Sequence, residues 1–135
     1  MDTHKDLRVW QQSIEMVTSI YLVTKIFPKD ELFGLVTQMR RAAVSVPSNI
    51  AEGYARGTDG EKLHFLRISS GSMSEIETQL ILSLNLGYIS EESYGELSEM
   101  ITAVWKQLNA LISSLKKRLP MQISQNDQTT TTPND

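Results

Sequence analysis

The chain contains no cysteine and only two histidines among its 135 residues. Without cysteine it can form neither disulfides nor the thiolate sites that hold zinc or iron–sulfur clusters. Two histidines also give little support to a nucleophilic triad, which needs a base beside its nucleophile. We therefore expect no enzymatic activity, no metal and no cofactor.

The E-x-x-H segment from Glu61 to His64 has the spacing that di-iron helical bundles use. Such a site needs two of these pairs and a further glutamate from each other helix. The second histidine, His4, is not part of an E-x-x-H pair. His64 is therefore interpreted as a surface or interface residue.

Long apolar runs are also missing, since none approaches the roughly 20 residues that cross a bilayer. The first residues, MDTHKDLRVW, are too polar for a signal peptide. These two features predict a cytoplasmic protein with no membrane partner.

The net charge of −3 does not indicate a nucleic-acid binder. The charges are unevenly distributed, because residues 1–67 hold nine Lys/Arg and eight Asp/Glu, whereas residues 68–135 hold four and eight. A local basic patch on the first half is therefore compatible with the overall charge.

Apolar residues recur at spacings of three and four in four segments, each of which predicts an amphipathic helix. The first starts at Leu7 and should end near Phe27, because Pro28 disfavours helical geometry in the residue before it. The second runs from Leu32 to Gly53, and the fourth continues to Leu115.

The boundaries of the last two helices carry capping signals. Thr58 and Glu61 form a possible capping box before the third helix, and Gly87 suits its C-terminal cap. Ser90 is placed to cap the fourth helix. Four helices with short links predict an all-α, antiparallel up-down-up-down bundle over residues 1–119. The polar residues 120–135 are predicted to be a disordered tail.

Pro47 lies inside the second segment, where it removes a backbone donor and marks either a junction of two helices or a kink in one. The apolar line from Met39 to Gly53 keeps its phase through Pro47, which favours one kinked helix. Ser45 and Ser48 are near enough to help satisfy the freed backbone groups. Asn49 lies on that line, so it is interpreted either as a buried register-fixing hydrogen bond or as a ligand contact.

The third helix contains Gly71 among serines, which we interpret as a close-approach point between helices. Ser72 and Glu75 share a face, and Glu75 is expected to be partly buried and to meet Arg40 or Arg41. The broad apolar surfaces of the second and third helices suggest a further surface covered by another subunit. On the second helix, Glu52 is spaced to pair with Arg56.

Three stretches carry a resemblance to a known family: LRVWQQS, FPKDELFGLVTQMRRAAVSVPSNIAEG and FLRISSGSMSEIETQL. Over about Leu7 to Leu115 the chain resembles the bacterial four-helix-bundle family encoded in intervening sequences of 23S rRNA genes. That resemblance implies a protomer that assembles as a homopentameric ring. The family is similar to the accessory protein of diversity-generating retroelements, which binds nucleic acid and a reverse transcriptase.

Together with the uneven charge, the resemblance implies an adaptor that binds RNA or DNA through the first half of the chain. The residues expected to make these contacts are Arg40, Arg41, Arg56, Lys62 and Arg67. The alternative is a protein–protein scaffold that binds no nucleic acid itself. A small enzyme would need a pocket lined by Asn49, Ser72 and Glu75, which lack a base or a metal.

Overall fold

The computed structural model describes residues 3–119, and four long helices carry the fold. They are α1 (Arg8–Thr24), α2 (Thr37–Arg56), α3 (Asp59–Asn85) and α4 (Glu91–Lys117). The described residues contain no strand, so the all-α class is confirmed. The predicted tail, residues 120–135, lies outside the described residues.

Helix ends agree with the capping signals in the sequence. The hydroxyl of Thr58 accepts a hydrogen bond from the Glu61 amide, and Ser90 does the same for the Ser93 amide. Gly57 and Gly87 follow the second and third helices with φ of 92° and 75°, a left-handed conformation that glycine adopts without steric cost. The α2–α3 link has two residues and the α3–α4 link has five, so these successive helices meet at their ends.

The start of α2 differs from the sequence prediction, which placed the helix from Leu32. A short 3₁₀ turn at Lys29–Glu31 is followed by a π-helical turn at Leu32–Val36, and α2 begins at Thr37. Gly34 leaves helical geometry there, with φ −113° and ψ −110°. The Glu31 carboxylate accepts a hydrogen bond from the Leu35 amide, so this turn has its own cap.

Each helix packs against two others: α1 against α2 and α4, and α3 against α2 and α4. Their apolar stripes meet in one core, as the helical periodicity predicts. The largest side chains with almost no exposed surface are Met16, Ile20, Met39, Ile50, Leu66, Met73, Ile76, Leu97 and Leu108.

Buried serines join α2 to α3. Ser69 Oγ donates to the Val46 carbonyl oxygen at 2.9 Å, and Ser72 Oγ donates to Ser45 Oγ at 2.8 Å. Because serine side chains are short, the two helices can approach closely while the buried hydroxyl groups keep their hydrogen-bond partners. The contacts also fix which turn of α2 faces which turn of α3.

Helix α2 continues through Pro47, which is itself buried, so one helix rather than two passes this point as predicted. Asn49 turns back onto its own helix, where Nδ2 donates to the Ser45 carbonyl oxygen at 2.8 Å and to Ser45 Oγ at 2.9 Å. Asn49 is half-buried, and these two bonds go to Ser45, whose hydroxyl also accepts from Ser72 of α3. The bonds that cross between the helices therefore come from serines rather than from the asparagine.

Two expectations for α3 are not met within the protomer. Gly71 is exposed, and a Cβ added there would have no neighbour within 4 Å. Close approach occurs instead at Gly53 of α2, where an added Cβ would lie 3.1 Å from Phe65 Cβ and 3.3 Å from the Lys62 backbone. Glu75 is exposed and makes no ion pair with Arg40 or Arg41, because the core side of α3 passes through Ser72 and Ile76 instead.

Replacing Gly53 by valine should lower the free energy of unfolding by about 1–3 kcal/mol, because the added methyl groups press on the α3 backbone. The matched control is Gly95→Val in α4, where an added Cβ meets nothing within 4 Å. Urea denaturation followed by circular dichroism measures both. Equal stability of the two variants would contradict close packing at Gly53.

Candidate nucleic-acid interface

Four of the five basic residues expected to contact nucleic acid lie in two groups near opposite ends of α2. Arg40 and Arg41 are in its first two turns, whereas Arg56 ends it and Lys62 lies at the start of α3. The fifth, Arg67, lies further along α3, two residues before Ser69, which bonds to Val46 at the middle of α2. With a rise of 1.5 Å per residue, Arg41 and Arg56 are separated by about 22 Å along the helix axis. A ligand that contacts both groups must therefore be an extended molecule.

Arg40 is largely committed to holding α1 against α2. Its Nε donates to Thr24 Oγ1 at 3.0 Å, and a terminal nitrogen donates to the Tyr21 carbonyl oxygen at 3.3 Å. The guanidinium also lies over the Tyr21 ring, 4.6 Å from its centroid, where a cation is attracted to the π face. Arg40 thus contributes to packing as well as to local positive charge.

Arg41 is exposed, and within residues 3–119 its side chain makes no hydrogen bond or ion pair. It borders a shallow groove of about 560 Å³ that Tyr21, Arg40, Val44 and Ser48 also line. The groove combines cationic, hydroxyl and apolar surface. This chemistry suits a phosphate group next to a base or sugar.

Arg56 forms the predicted pair with Glu52. The two N–H groups donate to Glu52 Oε1 at 2.9 Å and 3.2 Å, and both side chains are about half exposed. Such a surface pair contributes little to stability, at most about 1 kcal/mol. The pair nevertheless reduces the positive charge that Arg56 presents to a ligand.

Lys62 and Arg67, both on α3, are the remaining two basic residues. The Lys62 ammonium lies 4.8 Å from the Tyr54 ring centroid, and it makes no ion pair with any of residues 3–119. Arg67 is exposed and likewise has no acidic partner in this range. Arg41, Lys62 and Arg67 are therefore the cations that remain available to phosphate.

A cavity of about 410 Å³ lies where α2 ends and α3 begins, and sequence reasoning missed it. Lys62 borders it, together with His4, Tyr54 and Arg118. Nothing local in the sequence connects Arg118 to the other segments that line this cavity.

The phenol of Tyr54 stays protonated at neutral pH. Burial raises the pKa of Tyr54, and the nearby Asp59 carboxylate raises it further, although Arg118 acts in the opposite direction. Arg118 also approaches Asp59, with an N···O distance of 3.5 Å. The phenol can therefore donate a hydrogen bond into the cavity region.

No group of three or more metal-ligating side chains occurs among residues 3–119. His64 is exposed and packs edge-on against Phe65, with ring centroids 5.0 Å apart. Glu61, its partner in the E-x-x-H segment, accepts a hydrogen bond from Thr58 instead.

Among residues 3–119, none of the helices combines the length and apolar character that crossing a bilayer requires.

Arg40→Gln should lower the free energy of unfolding by about 1–2 kcal/mol, because it removes two hydrogen bonds between α1 and α2. Arg41→Gln should change it by less than about 0.5 kcal/mol, as is usual for an exposed side chain without partners. Urea denaturation of the two variants separates the structural arginine from the free one. Similar losses of unfolding free energy in the two variants would contradict the conclusion that Arg40, but not Arg41, supports the fold.

Residues 5–110 match the family model described as 23S rRNA-intervening sequence protein. The match covers most of the chain, which therefore belongs to this family, as the resemblance in the sequence indicated. The structure is similar to a crystal structure of a protein with unknown function from the S23 ribosomal protein family of Bacteroides thetaiotaomicron VPI-5482. The TM-score is 0.71 at 24% identity, covering 78% of this chain and 95% of that one, which establishes a shared fold. No curated protein matches the chain.

Proposed function

We propose that this member of the 23S rRNA-intervening sequence protein family is a non-enzymatic, oligomeric adaptor that binds RNA or DNA in the cytoplasm. The observation that carries this hypothesis is the presence of three cations on α2 and α3, Arg41, Lys62 and Arg67, that no acidic group of residues 3–119 neutralises. Phosphate contacts by such side chains supply most of the affinity in non-specific nucleic-acid binding.

Local contacts with phosphate must overcome an unfavourable overall charge. Each subunit carries −3, and a pentamer would carry five times that charge. Attraction to phosphate then depends on the short-range field around each of these cations, because salt screens charges beyond about 8–10 Å. We therefore expect affinity that falls steeply with salt concentration.

We further propose that the four helices alternate in direction and that protomers assemble as a homopentameric ring. Support comes from the outer stripe of α3, which consists of Ile68, Gly71, Glu75, Leu82 and Leu86. Spacings of three, four and seven residues put them on one face, away from the core. Ile68, Leu82 and Leu86 are 40%, 45% and 55% exposed. Exposed apolar side chains in a row of this kind are typical of a subunit contact, and Gly71 would let a partner helix approach closely, while Glu75 is the one charged residue of the stripe.

A protein–protein scaffold without nucleic-acid binding is the second candidate. Apolar side chains at the link between α1 and α2 favour it, above all Phe33, which is 92% exposed, and Ile26, which is 74% exposed. Exposed aromatic residues are frequent anchors of protein interfaces. Under this alternative the protein would bind a partner through this link and would be indifferent to RNA and DNA.

The double variant Arg41→Glu, Arg67→Glu should lose most of its nucleic-acid affinity at low salt. Each lost phosphate contact should also reduce the salt slope of log K by about 0.7–0.9. Fluorescence anisotropy with labelled hairpin RNA and duplex DNA, titrated with salt, measures both effects. The control, Lys106→Glu, Lys116→Glu on α4, has the same net charge and should bind nearly as the unmodified protein does.

Two outcomes would reject nucleic-acid binding through this surface. One is no binding of either probe by the unmodified protein at low salt. The other is an equal loss in the α2–α3 variant and the α4 control, which would show a response to net charge alone.

The double variant Ile68→Glu, Leu82→Glu should dissociate the oligomer, because it introduces charges into an apolar contact. Light scattering coupled to size exclusion gives the mass of the unmodified protein, expected at five times that of one chain. The control Asn109→Glu, Ser113→Glu changes exposed polar positions of α4 and should leave this mass unchanged. A monomeric unmodified protein would refute the ring.

A further inference from the structure

The cavity at the α2–α3 end of the bundle has the size and chemistry of a small-molecule site. Its volume of about 410 Å³ falls within the roughly 300–1,000 Å³ typical of ligand pockets. Four separate parts of the chain form it: the first described residues, the end of α2, the start of α3 and the end of α4. The proposed nucleic-acid interface explains only one of its residues, Lys62.

One wall of the cavity is apolar. Leu7 and Leu115 are buried members of the core that reach its surface here, and Leu111 extends the same wall. A flat or apolar part of a ligand would displace water mainly from Leu111, since Leu7 and Leu115 expose only 7% and 3% of their surface. Such a surface gains about 25 cal/mol for each Å² of apolar area removed from water.

The mouth of the cavity is cationic. Lys62 has no ion-pair partner among residues 3–119, and Arg118 has only Asp59, at 3.5 Å, while its side chain remains 63% exposed. The hydroxyl of Ser114 borders the same opening. The Tyr54 phenol adds a neutral hydrogen-bond donor.

We propose that this cavity binds a nucleoside 5′-monophosphate group, with the phosphate between Lys62 and Arg118 and the base against the apolar wall. Inorganic phosphate alone would use the cations but would leave the leucine wall in water. A hydrocarbon chain would use the wall but would leave both cations without a partner. A phosphate joined to an aromatic base satisfies both surfaces, and its size fits the volume.

The bound group could belong to a free nucleotide or to the 5′ end of a strand, since the chemistry at the cavity is the same. The cavity shares Lys62 with the proposed nucleic-acid interface, whereas Arg41 and Arg67 do not border it, so substitutions at those two arginines distinguish the two sites.

Isothermal titration of the full-length protein with GMP and with AMP tests the site. Saturable binding of at least one is expected, and guanosine and inorganic phosphate should each bind at least about tenfold more weakly, since each makes only part of the contacts. A 5′-phosphorylated oligonucleotide that competes with GMP, when its 5′-hydroxyl counterpart does not, would identify a strand end as a ligand.

Three substitutions locate the binding. Arg118→Gln should weaken GMP binding about tenfold through loss of a charge-assisted bond, and Asp59→Asn should strengthen it by freeing Arg118. Ser114→Phe should abolish it by filling the cavity. The matched control Ser113→Phe, at an exposed neighbour that does not border the cavity, should bind normally.

No saturable binding of GMP or AMP, or unchanged binding in Ser114→Phe, would overturn the site. The variant Arg41→Glu, Arg67→Glu should keep its GMP affinity, which separates the two hypotheses. Loss of nucleotide binding with intact strand binding rejects only the cavity site. Nucleotide binding without strand binding rejects only the adaptor function.

Discussion

Close packing of α2 on α3 is the contact on which the other features of this protein depend. Gly53 permits it, because any side chain there would press on the Lys62 backbone. Ser69 and Ser72 donate hydrogen bonds to Val46 and Ser45 across this α2–α3 interface, which we call the seam. Small side chains let the helices approach, and each buried hydroxyl keeps a partner, so little desolvation cost remains.

This seam also determines where the charges lie. It holds the end of α2 beside the start of α3, which brings Tyr54 under Lys62 and Arg56 near Phe65. At the other end of α2, Arg40 turns to α1 while its neighbour Arg41 faces solvent. Adjacent residues on a helix point about 100° apart, so one of two neighbouring arginines can support the fold while the other stays available to a ligand.

Local signals in the sequence predicted much of the fold. The caps at Thr58, Ser90 and Gly87 depend on residues within a few positions, and the Glu52–Arg56 pair depends only on helical spacing. The expectations for Gly71 and Glu75 failed in the protomer because the angular position of the α3 core stripe is set by packing against α2. The cavity was missed because it joins residues near 4, 54, 62 and 118, which no local pattern relates.

Hydrogen exchange measured by NMR can test the packing of α2 on α3, since it reports whether α2 is one stable helix held against α3. Pro47 removes only its own donor, so we expect amides on both sides of it, such as those of Val46 and Ile50, to share the slow exchange of the Ser69 and Met73 amides in α3. They should exchange only through global unfolding. Rapid exchange confined to the turns around Pro47 would contradict a continuous helix held by the seam.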